Sequence, residues 1–357
     1  MLNVLLATAL VAATPPTPIH WTESPTGVES AVLYTAERAG TELWSVGIEL
    51  EAGQEGSIAF HPLALRWTGT KWQKTKSAVP DGRLDDVLVK SQSEVWAVGA
   101  TEQAGPPWQR PVLQRWNGSA WKRIATPPLA AHLDGQLTAI APSRNNGILV
   151  AEYAQDESGE GFRTVRRYAD GKWQALPRQG LQHVAYVDDL HEVSATEIWA
   201  AGIGGVARYD GKKWTEVELP IKMQEGRQFE VAQLVVRAPN DIWAVGEKPS
   251  ETLWRQPLAL HYDGTAWTEV AAPEITGQFH DLEFVDGKAF AVGGNPNTHE
   301  PLIAELVGKE FVQTTSPASG YLHGSVRVGK SLRVFGVATP GPGELARPFA
   351  GVGKLGS

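Results

Sequence analysis

The chain has 357 residues, a hydrophobic fraction of 42% and a formal net charge of −8 at pH 7. This acidic balance makes nucleic acids and anionic membrane surfaces poor partners, because both select basic proteins. The sequence has no cysteine, which excludes disulfide bonds, thiolate chemistry and cysteine-ligated zinc.

The N-terminal segment predicts secretion. Residues 1–13 are largely apolar and end in small side chains, which is typical of a signal peptide cleaved near Ala13, so we expect an extracellular protein. A stretch of about 13 residues is too short to cross a bilayer, which takes about 20. Because no basic residue opens the stretch, a disordered or packed N-terminus is the alternative. The Pro-rich residues 14–18 are predicted to be a leader, followed by a single domain over 19–357.

A short hydrophobic strand ending in glycine recurs along the chain. Clear copies lie at 43–47, 95–99, 198–202, 242–246 and 289–293, and weaker ones at 148–152 and 332–336. Most are followed by a turn signal containing Asp-Gly, Asn-Gly or Thr-Gly and then by an aromatic residue: Trp72, Trp121, Trp173, Trp214, Trp267 or Phe311. Asp-Gly between alternating runs predicts a hairpin, since both turn positions need φ > 0. The period of roughly 40 to 53 residues is that of propeller blades.

The repeats predict an all-β fold, a seven-bladed β-propeller with four antiparallel strands per blade. The predicted blades cover 28–80, 82–127, 135–177, 186–220, 229–273, 278–317 and 320–353 with 19–25. Residues 19–25 match the last strand of a blade, and 347–353 match a third strand. We therefore expect the N-terminal strand to complete the C-terminal blade and close the ring, with Trp21 beside Phe349.

The repeat (Ile/Val-Trp-Ala-Val-Gly, the Gly-containing hairpin and the following Trp) resembles Trp-rich secreted bacterial β-propellers. It is similar to the propeller lectins that serve as subunits of secreted bacterial toxin particles, the umbrella particles. The resemblance covers the chain after the leader. It implies recognition of carbohydrate on a cell surface, with other secreted protein subunits as candidate partners.

The loops between the second and third strands of the blades are candidate binding elements. Three share an aromatic residue, one or two polar residues and then Pro, and a fourth copy is partial. An aromatic ring can stack on a sugar while its polar neighbour binds hydroxyl groups, although each ring could instead pack over its own blade. The predicted carbohydrate-binding residues are Phe60, His61, Trp108, Arg110, Phe162, Trp254 and Arg255.

The mouth of the predicted central channel is a second candidate site. Aligning the inner strands places Asp86, Asp189, Gln233 and Asp281 at equivalent positions. Asp85, Asp188, His280 and His323 lie beside them. Oxygen ligands converging on the axis could hold Ca²⁺. The same groups could instead line a solvated channel or accept hydrogen bonds from inner-strand amides. We predict no cofactor, with Ca²⁺ as the alternative.

The sequence lacks the motifs of several enzyme classes, namely a nucleophile elbow, a zinc-binding His-Glu-x-x-His and a phosphate loop. The rim loops vary between repeats without concentrating reactive groups in one blade. The sequence therefore predicts a non-catalytic lectin and not an enzyme. A glycan hydrolase or lyase using the channel-mouth carboxylates is one alternative, and a protein-interaction scaffold is another.

Overall fold

A computed structural model describes residues 14–103, 108–221, 226–338 and 344–356. These ranges contain 28 β-strands and no α-helix, and a short 3-10 turn occupies Gln54–Gly56. The all-β prediction is confirmed. The predicted signal peptide at 1–13 lies outside the described residues.

The strands follow one another as antiparallel meanders. The first half of the chain contains β1 (Ile19–Glu23), β2 (Ala31–Ala39), β3 (Glu42–Ala52), β4 (Ile58–Trp67), β5 (Trp72–Lys74), β6 (Arg83–Ser91), β7 (Glu94–Glu102), β8 (Gln109–Trp116), β9 (Trp121–Ile124), β10 (Asp134–Pro142), β11 (Ile148–Gln155), β12 (Gly161–Ala169) and β13 (Lys172–Ala175).

The second half repeats the same arrangement. It contains β14 (Tyr186–Ser194), β15 (Glu197–Ile203), β16 (Gly205–Tyr209), β17 (Trp214–Glu216), β18 (Glu230–Ala238), β19 (Asp241–Lys248), β20 (Gln256–Tyr262), β21 (Trp267–Glu269), β22 (Gln278–Val285), β23 (Lys288–Gly294), β24 (Pro301–Val307), β25 (Glu310–Gln313), β26 (Tyr321–Val328), β27 (Ser331–Ala338) and β28 (Arg347–Leu355).

The strands pair into four-stranded antiparallel sheets. Five sheets have four strands, and β14 to β21 form an eight-stranded sheet whose two halves are joined by one residue pair, Ile203 opposite Glu230. The first strand of each unit contacts the first strand of the next, in the order β2, β6, β10, β14, β18, β22, β26 and back to β2. We call these seven strands the inner strands.

The N-terminal strand β1 pairs with the C-terminal strand β28. Trp21 stands opposite Gly353, and Glu23 stands opposite Gly351, so Phe349 lies further along the same sheet and is not the partner of Trp21. The indole Nε1 of Trp21 donates to the carbonyl of Thr315 at 2.9 Å. The two ends of the chain therefore share one sheet, which also contains β26 and β27.

The repeated tryptophans fill the space between neighbouring sheets. Trp44 of β3 is fully buried and contacts Trp116 and Trp121 of the next sheet, with ring centroids 5.2 and 5.3 Å away. Leu33 of the first sheet belongs to the same buried cluster as Phe335 of β27. Such aromatic and aliphatic contacts supply the core, because each sheet alone leaves its faces exposed.

The hairpin turns differ in detail from the prediction. Positive φ at both turn positions occurs at Asp170-Gly171, whereas Asp210 and Asp263 are not among the described residues with positive φ. The carboxylate of Asp263 instead accepts from the backbone N–H groups of Thr265 and Ala266, at 2.8 and 2.9 Å. The Asp side chain thus closes these turns by capping the backbone, and only the glycine adopts positive φ.

Each inner strand contains a β-bulge at the same place. The bulged residues are Tyr34, Asp85, Thr138, Asp188, Ala232, His280 and His323. The repeat glycine explains the bulge in six of the seven units. A Cβ on Gly246 would lie 1.9 Å from the carbonyl oxygen of Glu230, and a Cβ on Gly99 would lie 2.1 Å from that of Arg83. A bulge re-aims side chains, so the bulges determine which residues line the centre, and the unit with Thr138 forms its bulge without a repeat glycine.

Candidate functional site

The bulged residues line a pocket of 310 Å³ where the inner strands converge. We call it the central pocket. It brings together all seven bulged side chains and the predicted channel-mouth residues Asp86, Asp189, Gln233, His280, Asp281 and His323.

Four of the predicted channel-mouth residues hold neighbouring inner strands together. Asp86 accepts from the backbone N–H of Ile140 at 2.9 Å, and Asp189 accepts from that of Leu234 at 2.7 Å. Gln233 and Asp281 accept in the same way from the next inner strand. These four side chains therefore accept hydrogen bonds from inner-strand amides, which was one of the three alternatives beside a Ca²⁺ site and a solvated channel.

The two predicted histidines are buried at the bulges. Burial lowers the pKa of His280 to about 3 and that of His323 to about 4, so both rings are neutral. The Nε2 atom of His280 lies 2.8 Å from the hydroxyl of Tyr321. Burial also raises the pKa of Tyr321, which keeps its hydroxyl protonated.

A second pocket of 740 Å³ opens at the rim and meets the central pocket at Glu230, which lines both. We call it the rim pocket. The predicted residues Trp254 and Arg255 line it together, and the Trp254 side chain is 63% exposed. The guanidinium of Arg227 lies 5.3 Å from the centre of the Trp254 ring. The exposed ring of Trp254 thus lines the same pocket as the carboxyl group of Glu230.

Two glutamates face each other where the pockets meet. Glu230 begins β18 and stands directly opposite Glu247 on β19. Burial and the neighbouring charge of Glu247 raise the pKa of Glu230 to about 7. Glu247 is 4% exposed and forms an ion pair with Arg255. One carboxyl group is therefore poised to hold a proton at neutral pH, while its neighbour is paired with a cation.

The other predicted carbohydrate-binding residues lie apart. Phe60 and Trp108 are exposed on different sheets, and Phe162 packs beneath the guanidinium of Arg178 at 4.8 Å. His61 contacts the carbonyl of Pro80 at 3.0 Å and the carboxylate of Glu51 at 3.1 Å. Arg110 donates to backbone carbonyls of residues 130, 131 and 133. Both polar side chains thus hold the connections that lead to the next sheet.

The sequence prediction did not include Glu230, Glu247 or Tyr321. An acidic residue directly after a repeat glycine, as in Gly246-Glu247, is a signal that could have pointed to Glu247. The opposition of Glu230 depends on the bulged register, which no local motif encodes. Within the described residues, no group of three or more His, Asp or Glu is arranged to hold a metal ion. The absence of a cofactor and the Ca²⁺ alternative both stay predictions. The described part also has no helix long and apolar enough to cross a membrane.

No protein-family model matches the chain, and no curated protein matches it. Solved structures are similar in fold. The GH74 xyloglucanase from Xanthomonas campestris has a TM-score of 0.58 at 10% identity, covering 90% of this chain and 54% of that one. The polysaccharide lyase Uly1 has a TM-score of 0.52 at 9% identity, covering 98% and 94%. A puromycin hydrolase has a TM-score of 0.53 at 12% identity, covering 92% and 54%. These neighbours show a β-propeller fold.

The neighbours also correct the functional prediction. All three bear the names of enzymes, and two are named for acting on polysaccharides. None of the three is a lectin of a toxin particle. The prediction of a non-catalytic lectin is therefore wrong. Glu230 and Glu247 are brought together by strand register across two strands, so no single loop or motif displays them.

Proposed function

We propose that the chain is a secreted, seven-bladed β-propeller enzyme that hydrolyses glycosidic bonds of a polysaccharide. Seven inner strands, each opening a four-stranded unit, support the blade count. The pairing of β1 with β28 and the contact of β26 with β2 support a closed ring. The apolar residues 1–13 support secretion.

The observation that carries the enzymatic proposal is the Glu230–Glu247 pair at the junction of the two pockets. Many glycoside hydrolases need one protonated and one ionised carboxyl group beside the scissile bond. When the surroundings of two carboxyl groups move their pKa values apart, the group with the higher pKa is the acid and the other is the ionised partner. Glu230, with its raised pKa, is the general acid. Glu247, paired with Arg255, is the ionised partner.

A retaining mechanism is compatible with the strand register. Residues directly opposite in an antiparallel pair have Cβ atoms about 4.5–5.5 Å apart, so the side chains of Glu230 and Glu247 can bring their carboxyl groups to the separation of about 5–5.5 Å that retaining enzymes use. Glu230 would protonate the leaving oxygen while the Glu247 carboxylate bonds to the anomeric carbon. Water would then attack this carbon, giving its proton to Glu230 and releasing Glu247. The exposed ring of Trp254 offers a stacking surface for the adjoining sugar.

One contact favours a lyase as the second candidate. The neutral His280, 2.8 Å from the Tyr321 hydroxyl, would orient this hydroxyl to protonate the leaving oxygen, while an ionised carboxylate of the pocket wall takes the proton from the carbon beside a uronate carboxylate. The products separate the two candidates. Hydrolysis creates a new reducing end and no double bond, whereas elimination creates an unsaturated sugar that absorbs ultraviolet light.

The experiment is a reducing-end and absorbance assay of the protein on a panel of neutral, uronate-containing and amino-sugar polysaccharides. Glu230→Gln and Glu247→Gln should each lower kcat by about 10²–10⁴-fold, the usual contribution of an acid–base group. Glu310→Gln, on an exposed strand position, is the matched control and should change nothing. Activity should fall as pH rises through the Glu230 pKa of about 7. Full activity in both pocket variants would refute the assignment.

A further inference from the structure

The central pocket is strongly acidic. Six carboxyl groups line it: Asp85, Asp86, Asp188, Asp189, Glu230 and Asp281. No lysine or arginine is among its described lining residues. Its two histidines are neutral, because burial lowers the pKa of each. Two basic residues contact the wall from outside the pocket. Arg83 donates to Asp85 at 2.7 Å and to Glu102 at 3.1 Å. Against the effect of burial, the carboxylate of Asp189, which lies 3.2 Å from the Nε2 atom of His191, raises the pKa of His191.

Several polar atoms of this wall have no partner among the described residues. Ser325 is 6% exposed, and its Oγ atom makes no hydrogen bond. The Oδ2 atoms of Asp85 and Asp188 are also buried without a partner. Native proteins satisfy almost all buried polar groups, so an orphaned hydroxyl and two orphaned carboxylate oxygens in one pocket mark a place where water or a polar ligand binds.

The pocket volume and the charge of the wall restrict that ligand. A volume of 310 Å³ holds roughly ten waters at about 30 Å³ each, which is room for one sugar ring. A neutral sugar could accept from Ser325 and donate to the carboxylates, but it would leave their charge uncompensated. A primary ammonium group supplies three donors and the missing positive charge, and its attraction to carboxylates is strong where water is excluded.

We propose that the central pocket is the subsite for a sugar that carries a free primary amine, so the substrate is a polysaccharide of non-acetylated amino sugars. This inference rests on the proposed glycosidase function and names its substrate class. The formal net charge of −8 fits it, because an acidic protein attracts a polycation. The exposed Trp254 favours a sugar over a lysine side chain, since its ring can stack on the neighbouring residue of a sugar chain.

Proton release is the signature of such binding. Burial raises the pKa of Asp85 to about 6, that of Glu230 to about 7, and that of Asp188 above its usual range. Burial also raises the pKa of Asp86 to about 8 and that of Asp281 to about 7, so these groups add to the protons that can be released. The hydroxyl groups of Tyr34 and Tyr186 stay neutral near pH 7, because burial raises the pKa of each. An ammonium group would lower the carboxyl pKa values and expel protons, whereas a neutral sugar would not.

The test is calorimetric titration of the full chain with glucosamine oligomers and with their N-acetylated counterparts, at pH 7 in two buffers of different ionisation enthalpy. We expect at least about tenfold tighter binding of the free-amine oligomer, accompanied by proton release. Asp188→Asn should weaken its binding about tenfold and reduce the protons released. Ser325→Ala should weaken binding, and a melting temperature close to that of the unmodified chain would show that the loss is not a folding defect. Asp170→Asn, in an exposed turn, is the control.

Equal affinity for the two oligomers, or binding without proton release, would overturn the inference. Binding of N-acetyl-lysine amide as tight as that of the amino-sugar oligomer would assign the pocket to a peptide and would also overturn it. The binding readout needs no turnover, so the two proposals fail separately. Hydrolysis of neutral glycans without amine binding leaves the hydrolase and removes the substrate class. Amine binding without any hydrolysis leaves the amine-binding pocket and removes the hydrolase.

Discussion

The strand that joins the two ends of the chain offers the sharpest test of the ring. Ile19 on β1 is 4% exposed and packs with Val334 and Phe349 of the last sheet. Ile19→Ala removes three carbon atoms, which at about 0.8 kcal/mol per buried group amounts to about 2.4 kcal/mol. The cavity that remains raises the expected loss to about 3 kcal/mol. His20, the next residue, is exposed, so His20→Ala should cost less than about 0.5 kcal/mol.

The assay is equilibrium unfolding in urea followed by tryptophan fluorescence. Gly353→Ala adds a third measurement, because its Cβ would lie 2.6 Å from Cγ2 of Ile19 and 2.8 Å from the Trp21 ring. That substitution should destabilise the protein, and less so when Ile19→Ala has already made room. If Ile19→Ala lowers the free energy of unfolding no more than His20→Ala does, β1 does not hold the ring and the closure proposal fails.

Three further predictions concern the pocket and its supports. Burial raises the pKa of Asp86 to about 8 and that of Glu230 to about 7. Burial also lowers the pKa of His280 to about 3 and that of His323 to about 4, so below the ordinary histidine pKa of about 6.5 the two histidines offset these two carboxyl groups. Between about pH 6.5 and pH 8 the native state binds more protons than the unfolded chain, so the free energy of unfolding should fall as pH rises through this range; melting curves that show the opposite slope there would contradict the assignment. Gly246→Ala places a Cβ 1.9 Å from a backbone oxygen and should cost about 3 kcal/mol in urea unfolding. Trp254→Ala should raise KM about tenfold with kcat nearly unchanged, as expected for about 1.4 kcal/mol of lost binding. The control is Trp108→Ala, which removes another exposed ring outside the rim pocket and should leave the kinetics unaltered.

Much of the fold can be predicted from the sequence, because the motifs that predict strands and turns are short and recur along the chain. The run Ile242 to Gly246 and the turn at Asp263-Gly264 are each readable from a few adjacent residues. Hydrophobic patterning and turn chemistry determine strands and hairpins at this range. The pairing of β1 with β28 follows from two incomplete repeats at the ends of the chain. These features need no knowledge of side-chain geometry.

The candidate site is harder to predict from the sequence, because it depends on the pairing register between strands. Nothing in the pair Asp85-Asp86 says which carboxylate faces the pocket with a free oxygen and which accepts a backbone N–H. A one-residue bulge makes that choice, since successive side chains of a strand point to opposite faces. The opposition of Glu230 and Glu247 likewise arises from pairing between two strands. Aligned repeats therefore lead to the wall of the pocket, but they do not show which member of each pair accepts a hydrogen bond from the neighbouring strand.

The bulges also separate the chemistry of the wall from the packing of the sheets. Ladder hydrogen bonds and buried contacts belong to the residues on either side of each bulge, as Leu84 and Asp86 flank Asp85. A bulged side chain can therefore be exchanged while the pairing of the strands stays the same. Ala232 occupies a bulge on the pocket wall and has no functional group. A single substitution at this position could introduce new reactivity without changing the sheet.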